Sequence, residues 1–158
     1  MCVERRFFMK KHSFAYIHSN HTTPLIENIK LPFRVRPKEI KNLNRYHFQN
    51  YEESIVLFSL TGHELLRKKE EKILQDILSA PKKTIFLIIT PFNFEAKTDL
   101  NWVRKQLKML HENKANFEEL ELDALLKEKP HLTFDQAFKE MQQIIELVAL
   151  VAFKAFRG

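Results

Sequence analysis

The sequence predicts one α/β domain over residues 1–158: a Rossmann-like three-layer sandwich with a small, mostly parallel sheet and a long C-terminal helix. Two short apolar runs, IVLFSL at 55–60 and TIFLIIT at 84–90, are typical of strands that are buried on both faces. An amphipathic segment of helical period separates them. Because a strand, a helix and a strand in this order form a right-handed crossover, we expect a parallel pair, with helices on both faces of the sheet.

The first third of the chain predicts one strand followed by an irregular stretch. Residues 13–19 (SFAYIHS) are apolar and aromatic, which indicates a strand. Three prolines, at positions 24, 32 and 37, interrupt the segment that follows. We therefore assign no regular element between residues 20 and 50.

The middle of the chain predicts two helices and an edge strand. Pro81 lies just beyond the first helix, at 64–79, and Asp99 opens the second. Residues 117–122 (FEELEL) alternate with period two, as an edge strand does. The apolar face of the first helix consists of Leu65, Leu66, Ile73, Leu74, Ile77 and Leu78, and that of the second consists of Leu100, Val103, Leu107 and Leu110.

The last helix has the clearest boundaries. Thr133 and Gln136 form a capping box in front of an apolar-rich segment at 134–156, which is about 34 Å long at ~1.5 Å per residue. Its second half is apolar nearly all round, so we expect it to be buried on all sides. Either a second copy or another protein covers it, or the N-terminal third folds over it. The predicted interface residues are Leu147, Val148, Leu150, Val151, Phe153 and Phe156.

The positive charge is concentrated in the first third of the chain. Residues 1–50 hold ten basic and three acidic side chains, whereas the rest hold 16 and 17, for a formal net charge of +6. Aromatic residues lie among the basic ones, as they do in nucleic-acid grooves. An ordinary solvated surface is the preferred interpretation, because no reader motif accompanies the charge, and nucleic-acid binding stays an alternative. The interleaved aromatic residues are Phe33, Tyr46, Phe48 and Tyr51.

The chain carries no pattern of a targeting signal or of a membrane span. Residues 1–11 alternate charges with short apolar pairs, and the longest apolar stretch, 147–153, is about a third of a spanning helix. A single cysteine, Cys2, precludes an intrachain disulfide and suits a reducing compartment. We therefore expect a cytoplasmic protein without a membrane partner.

The glycine content excludes the usual phosphate-binding loops. Gly62 is the only glycine inside the chain, so neither a P-loop nor a Gly-rich dinucleotide fingerprint is present. His12, His18 and His21 match no zinc spacing with Cys2. No Ser-His-Asp or Cys-His arrangement can be argued from the sequence. We therefore expect no cofactor, no metal and no catalytic residue.

Three segments in the C-terminal two thirds carry the features of a known family. Residues 90–95 (TPFNFE) follow a buried strand, residues 122–126 read LDALL, and residues 132–145 open the last helix. In this order they resemble the T-K-P-F-x-F-E-G stretch, the P-N-D-K-L-L segment and the start of the long central helix of FtsZ, the bacterial tubulin-like division GTPase. The resemblance covers about residues 51–158 and implies a tubulin-type nucleotide-binding domain.

The same resemblance implies that the nucleotide site is degenerate. Thr61 and Gly62 stand where FtsZ has the glycine cluster of its phosphate loop. Phe138 takes the position of the aromatic residue near the guanine. Gln143 replaces the guanine-reading aspartate, and an amide does not match the two donors of guanine. We expect these four residues to mark a vestigial ligand site.

On this resemblance the chain is a truncated FtsZ-like domain, a pseudo-GTPase without catalytic activity that ends before the family's synergy loop and second domain. It self-associates, as a homodimer, or binds a tubulin-like or other cell-division protein. Two alternatives stay open. One is a nucleic-acid-binding module that uses the basic first third, and the other is a small protein that binds a purine nucleotide without hydrolysing it.

Overall fold

A five-stranded parallel sheet forms the centre of the molecule. The computed structural model describes residues 10–43, 51–81 and 83–155. The strands lie in the order β2-β1-β3-β4-β5, and every neighbouring pair is parallel. This confirms the predicted α/β three-layer class. The strands are β1 (Lys10–Tyr16), β2 (Pro37–Glu39), β3 (Tyr51–Ser59), β4 (Thr84–Thr90) and β5 (Phe117–Glu121).

The two apolar runs of the sequence form the middle of this sheet. In register, Ile55 of β3 pairs with Ile85 of β4 and Phe58 pairs with Ile88. Both strands are buried on both faces, as a continuous run of apolar residues requires. The alternating segment at 117–122 forms β5, which is the edge strand that its period predicts.

In the described part of the chain, five helices cover the two faces of the sheet. Side chains of α2 and α3 pack with Val56 and Phe58 of β3 in one apolar cluster. Side chains of α1, α4 and α5 pack with Ile55 and Leu57 of the same strand in the other. Helices therefore lie on both faces, as predicted. They are α1 (Thr22–Ile26), α2 (Arg67–Leu78), α3 (Leu100–Glu112), α4 (Leu122–Glu128) and α5 (Phe134–Ala155).

Side-chain caps fix the starts of two helices. Asp99 is the N-cap of α3, where its Oδ1 accepts a hydrogen bond of 3.0 Å from the backbone N–H of Trp102. The capping box of α5 is confirmed, because Gln136 N–H donates to Thr133 Oγ1 at 3.2 Å and Thr133 N–H donates to Gln136 Oε1 at 2.9 Å.

Several element boundaries differ from the sequence prediction, and β3 begins at Tyr51 instead of residue 55. The first strand runs over Lys10–Tyr16, earlier than the predicted 13–19, because polar residues at its start pair with the beginning of β3. The first predicted helix begins at Arg67 instead of residue 64. Its predicted face is correspondingly incomplete, since Leu65 is exposed while Ile73 is buried.

The segment to which no element was assigned folds over the C-terminal helix. It contains α1, a short 3₁₀ turn at Pro32–Arg34 and β2. The Gln142 side-chain amide of α5 donates to the carbonyl oxygens of Leu25 and Glu27 at 3.0 and 2.7 Å. Part of the N-terminal third thus contacts α5, at a position that precedes the apolar second half for which a covering was expected.

No helix in the described part of the chain is both long enough and hydrophobic enough to cross a membrane.

Candidate functional site

The topology of the sheet marks one place where a ligand is expected. After β1 the chain enters α1 on one face, and after β3 it enters α2 on the opposite face. The carboxyl ends of these two neighbouring strands therefore form a topological switch point. In open parallel sheets the crevice at such a point is the usual ligand site.

A serine, a histidine and a glutamate meet at this switch point. Ser59 is the last residue of β3, His21 lies in the loop between β1 and α1, and Glu95 lies in the loop after β4. The Ser59 hydroxyl lies 3.2 Å from His21 Nδ1, and His21 Nε2 lies 2.6 Å from Glu95 Oε1. The three side chains thus form one hydrogen-bonded chain, which we call the Ser59 relay.

Two members of the relay are partly exposed to solvent. The His21 side chain is 12% exposed and that of Glu95 is 26% exposed. A carboxylate at Nε2 favours the imidazole tautomer that carries its proton on Nε2, which leaves Nδ1 free to accept from the hydroxyl of Ser59. The arrangement therefore polarises the Ser59 O–H bond beside a partly exposed imidazole, while Ser59 itself is buried.

Short-range bonds hold each member of the relay in position. Glu95 Oε2 accepts a hydrogen bond of 2.6 Å from the backbone N–H of Phe92, so both carboxylate oxygens are engaged. In the loop that carries His21, the Thr22 hydroxyl donates to the carbonyl of Ile17 at 3.0 Å and accepts from the backbone N–H of Ser19 at 2.7 Å. The imidazole is thus presented by a braced loop.

A second polar network closes the loop after β3 on the other side of the sheet. The backbone N–H groups of Thr61 and Gly62 both donate to Glu70 Oε1, at 2.9 and 2.8 Å. The Thr61 hydroxyl donates to Glu70 Oε2 at 2.8 Å. Burial raises the pKa of the Glu70 carboxyl, and these three bonds act in the opposite direction. We call this the Glu70 network.

Residues that do not belong to the Glu70 network also restrict Gly62. It adopts φ +70°, and a Cβ atom there would lie 2.8 Å from the backbone oxygen of Asp99. Arg67 donates to the Gly62 carbonyl at 2.9 Å and to Asp99 at 3.0 Å, and its guanidinium lies 5.4 Å from the ring centroid of Trp102. The loop is therefore packed against α3.

The structure does not assemble the four predicted ligand residues into one site. The amides of Thr61 and Gly62, which a phosphate would need, already donate to Glu70. Phe138 belongs to the apolar cluster on the opposite face of the sheet from Trp102, against which Gly62 packs. Gln143 is exposed on α5.

The predicted interface residues have different environments. Leu147 and Val151 are each 61% exposed, so the expectation that this half of α5 is buried on all sides is not met within one chain. Val148 and Leu150 are half-buried. Phe153 is fully buried in the chain's own core, where it stacks on His12 at 4.5 Å, and Phe156 lies outside the described residues. Their role as an interface stays a prediction.

An aromatic cluster lies next to the relay. Phe92 stacks on Phe94 with ring centroids 5.2 Å apart, and Phe94 stacks on Phe134 at 5.3 Å. Phe138 meets Phe92 edge-on at 6.1 Å. Phe92 is buried, whereas Phe94 and Phe134 are 60% and 55% exposed. We call these four residues the phenylalanine wall.

Sequence reasoning missed the Ser59 relay, although one signal pointed to it. Ser59 lies near the end of the apolar run at 55–60, and His21 and Glu95 follow the predicted strands at 13–19 and 84–90 within five residues. Since the carboxyl ends of parallel strands share one edge of the sheet, Ser59, His21 and Glu95 are brought to the same edge. Their partners could not be assigned, because the bond from His21 to Glu95 spans 74 residues.

The described residues offer no metal centre. Within 10–43, 51–81 and 83–155, no three His, Cys, Asp or Glu side chains cluster in a way that could hold a metal ion. His21, considered above for zinc, bonds to a serine and a glutamate instead.

Comparisons with known proteins identify the fold and no family. No family model matches the chain, and no curated protein matches it. A solved structure that it resembles is the metal-soaked flavodiiron core of Flv1 from Synechocystis sp. PCC6803, with a TM-score of 0.51 and 13% sequence identity. The match covers 97% of this chain and 38% of that one. The strand order found here, 2-1-3-4-5, is the flavodoxin-like order of doubly wound sheets.

The inferred membership of the FtsZ family is therefore wrong, and so is the function as a division-linked pseudo-GTPase. The fold matches a flavodiiron core, and no family model supports a tubulin-like domain. The physical reason is that the three short segments record features which many parallel α/β sheets share. Residues 90–95 form the turn that ends β4, residues 122–126 lie in α4, and residues 132–145 contain a capped helix start. The likeness to Flv1 supports neither nucleic-acid binding nor purine binding.

Proposed function

We propose that the chain is a hydrolase of the acyl-transfer type, with Ser59 as nucleophile, His21 as general base and Glu95 as the group that orients the base. The observation that carries this proposal is the continuous hydrogen-bonded chain from the Ser59 hydroxyl through His21 to the Glu95 carboxylate. A nucleophile, a base within hydrogen-bonding reach and a third group that orients the base are the signature of an activated serine.

The reaction follows from the positions of the protons. Ser59 Oγ attacks the carbonyl carbon of an ester or thioester while its proton moves to His21 Nδ1. The protonated imidazole then gives this proton to the leaving group, which departs and leaves an acyl-serine. Water attacks the acyl-serine with the same nitrogen as base, which releases the acid and restores the hydroxyl. Glu95 stabilises the imidazolium at each stage.

The position of the relay supports the proposal independently of its geometry. The relay lies at the topological switch point, where catalytic and binding groups of open parallel sheets usually lie. The roles of the two imidazole nitrogens are exchanged relative to the familiar serine protease arrangement, and either nitrogen of a neutral imidazole can act as the base. Recognition of such a triad depends on geometry and roles rather than on sequence order.

A fluorophosphonate probe and an activated ester test the proposal together. The wild-type chain should become labelled at Ser59, identified by the mass of the labelled peptide, and should hydrolyse p-nitrophenyl acetate. In Ser59→Ala we expect labelling to vanish and kcat/KM to fall by about 10³-fold or more. Ser54→Ala is the matched control, because Ser54 is a buried serine of the same strand outside the relay.

Stability measurements separate catalysis from a purely structural role. If the relay only braces loops, Ser59→Ala and His21→Ala will lower the midpoint of thermal unfolding, while the wild type will show neither labelling nor esterase activity above that of buffer. That result would overturn the proposal.

Self-association through α5 is a second and separate proposal. It is supported by the exposed apolar stripe that Ile144, Leu147 and Val151 form along the helix. Light scattering at micromolar concentration should report a dimer for the wild type and a monomer for Leu147→Glu. A wild-type chain that is monomeric over this range contradicts it.

A further inference from the structure

The geometry points to the phenylalanine wall as the binding surface for the acyl group, which makes the substrate an ester or thioester of an apolar or aromatic acid. This inference rests on the proposed function, because it assigns a substrate class to the Ser59 relay. It concerns different residues, however, and binding to the wall can be measured without any turnover.

Two large apolar rings lie side by side in solvent at the wall. Phe94 and Phe134 are both more than half exposed, yet their ring centroids are only 5.3 Å apart with an interplanar angle of 28°. Single exposed apolar residues are common on protein surfaces, so the contact between the two exposed rings is what distinguishes this place.

The buried half of the wall keeps these two rings in place. Phe92 is buried and lies nearly parallel to Phe94, at 5.2 Å and 12°, while Phe138 meets Phe92 at 90°. The exposed rings thus rest on a packed base that belongs to the core. An apolar ligand would find a preformed surface and would not have to order it on binding.

Glu95 of the relay is hydrogen-bonded to the backbone of the wall. The Glu95 carboxylate accepts from the backbone N–H of Phe92 through one oxygen and from His21 through the other. Phe94 is the residue directly before Glu95 in the chain. The end of the wall is therefore tied to the carboxylate that orients the base, which favours a small substrate reaching from the rings to the relay as the occupant, over an unrelated protein.

A comparison of two esters tests this substrate class. Wild-type kcat/KM for p-nitrophenyl hexanoate should exceed that for the acetate by about 10-fold or more, since methylene groups placed in an apolar site raise specificity by such factors. In Phe94→Ala/Phe134→Ala this preference should fall below about threefold. Leu65→Ala, which changes an exposed apolar residue outside both the wall and the α5 stripe, should leave the preference at its wild-type value.

Binding of 4-phenylbutyrate, an acid product of the expected class, separates the two proposals. Titration calorimetry should detect binding to Ser59→Ala and lose it in Phe94→Ala/Phe134→Ala. Esterase activity without chain-length preference, together with no phenylbutyrate binding, overturns the inference and leaves the Ser59 relay intact. Binding that depends on Phe94 and Phe134 without any esterase activity supports the wall and overturns the proposed reaction. Absence of both activity and binding overturns both.

Discussion

The Glu70 network and the Ser59 relay begin two residues apart at the end of β3, yet they use a carboxylate in opposite ways. Glu70 is buried and accepts hydrogen bonds from Thr61 and Gly62 through both oxygens, and the loop it holds is packed against α3. The relay instead ends in the hydroxyl of Ser59, beside a partly exposed imidazole. Glu70 thus makes all its bonds inside a buried loop, whereas the carboxylate of the Ser59 relay and the imidazole that it orients are both partly exposed.

The largest expected effect is that of Glu70→Ala. The change leaves two buried amides and one buried hydroxyl without their acceptor, and each such group costs about 1–3 kcal/mol. We expect the free energy of unfolding in urea to fall by about 3 kcal/mol or more. In Glu70→Gln the amide oxygen still accepts from both backbone groups, so the loss should stay near 1 kcal/mol. If both variants lost the same free energy of unfolding, the acceptor oxygens of Glu70 would not be what stabilises the loop.

Gly62→Ala is expected to cost about 2 kcal/mol, because a left-handed backbone is unfavourable for alanine and the new methyl group would press on the Asp99 carbonyl. Chemical denaturation measures the change. Gly62→Asn separates the two causes, since asparagine tolerates the left-handed region but introduces the same Cβ atom. A full recovery in Gly62→Asn would show that backbone strain dominates, and no recovery would show that the close approach does. A neutral Gly62→Ala would mean that this loop is less tightly closed than the distances indicate.

His21→Ala should sharpen the contrast between the two regions. It removes two partly exposed hydrogen bonds, so the free energy of unfolding should fall by only about 1 kcal/mol, whereas esterase kcat/KM should fall by about 10³-fold. His18→Ala provides a matched control, because His18 is an exposed histidine just before the same loop turn. A stability loss in His21→Ala as large as that in Glu70→Ala would show that the relay is a structural network too.

The smallest effect concerns pH. Because burial raises the pKa of Glu70 above its ordinary value of 4.5, the folded state binds this proton more tightly than the unfolded state does. Its contribution to stability is therefore complete below about pH 4.5 and is lost as the pH rises through the raised folded-state pKa. Urea denaturation across this range should show a larger loss in the wild type than in Glu70→Gln, because both proteins keep Glu53, whose pKa is also raised by burial. Parallel curves for the two proteins would refute the assignment.

Local patterns in the sequence determine much of the fold. The apolar runs that became β3 and β4 predicted a buried parallel pair, and the capping box at Thr133 and Gln136 gave the start of α5 to the residue. The start of α2 could not be predicted in this way. Glu70, in the first turn of α2, holds the backbone of Thr61 and Gly62 in the loop, and residues 62–66 lie outside the helix.

The candidate site could not be predicted from the sequence, for a different reason. Ser59, His21 and Glu95 sit in three separate loops and strand ends, and no local pattern states which of them will touch. The short resemblance to FtsZ predicted a ligand site at Thr61, Gly62, Phe138 and Gln143. The fold places these residues on opposite faces of the sheet or at the surface. Side-chain chemistry was visible in the sequence, whereas the pairing of distant residues was not.

The hydrogen bonds from Gln142 to the carbonyl oxygens of Leu25 and Glu27 affect how the protein folds during its synthesis. They join positions 117 and 115 residues apart, so these bonds form only after this part of α5 has been synthesised. Such long-range closure slows folding. The strands β1 and β3 are synthesised much earlier and can already pair, so α1 gains its contacts with α5 after this part of the sheet is complete.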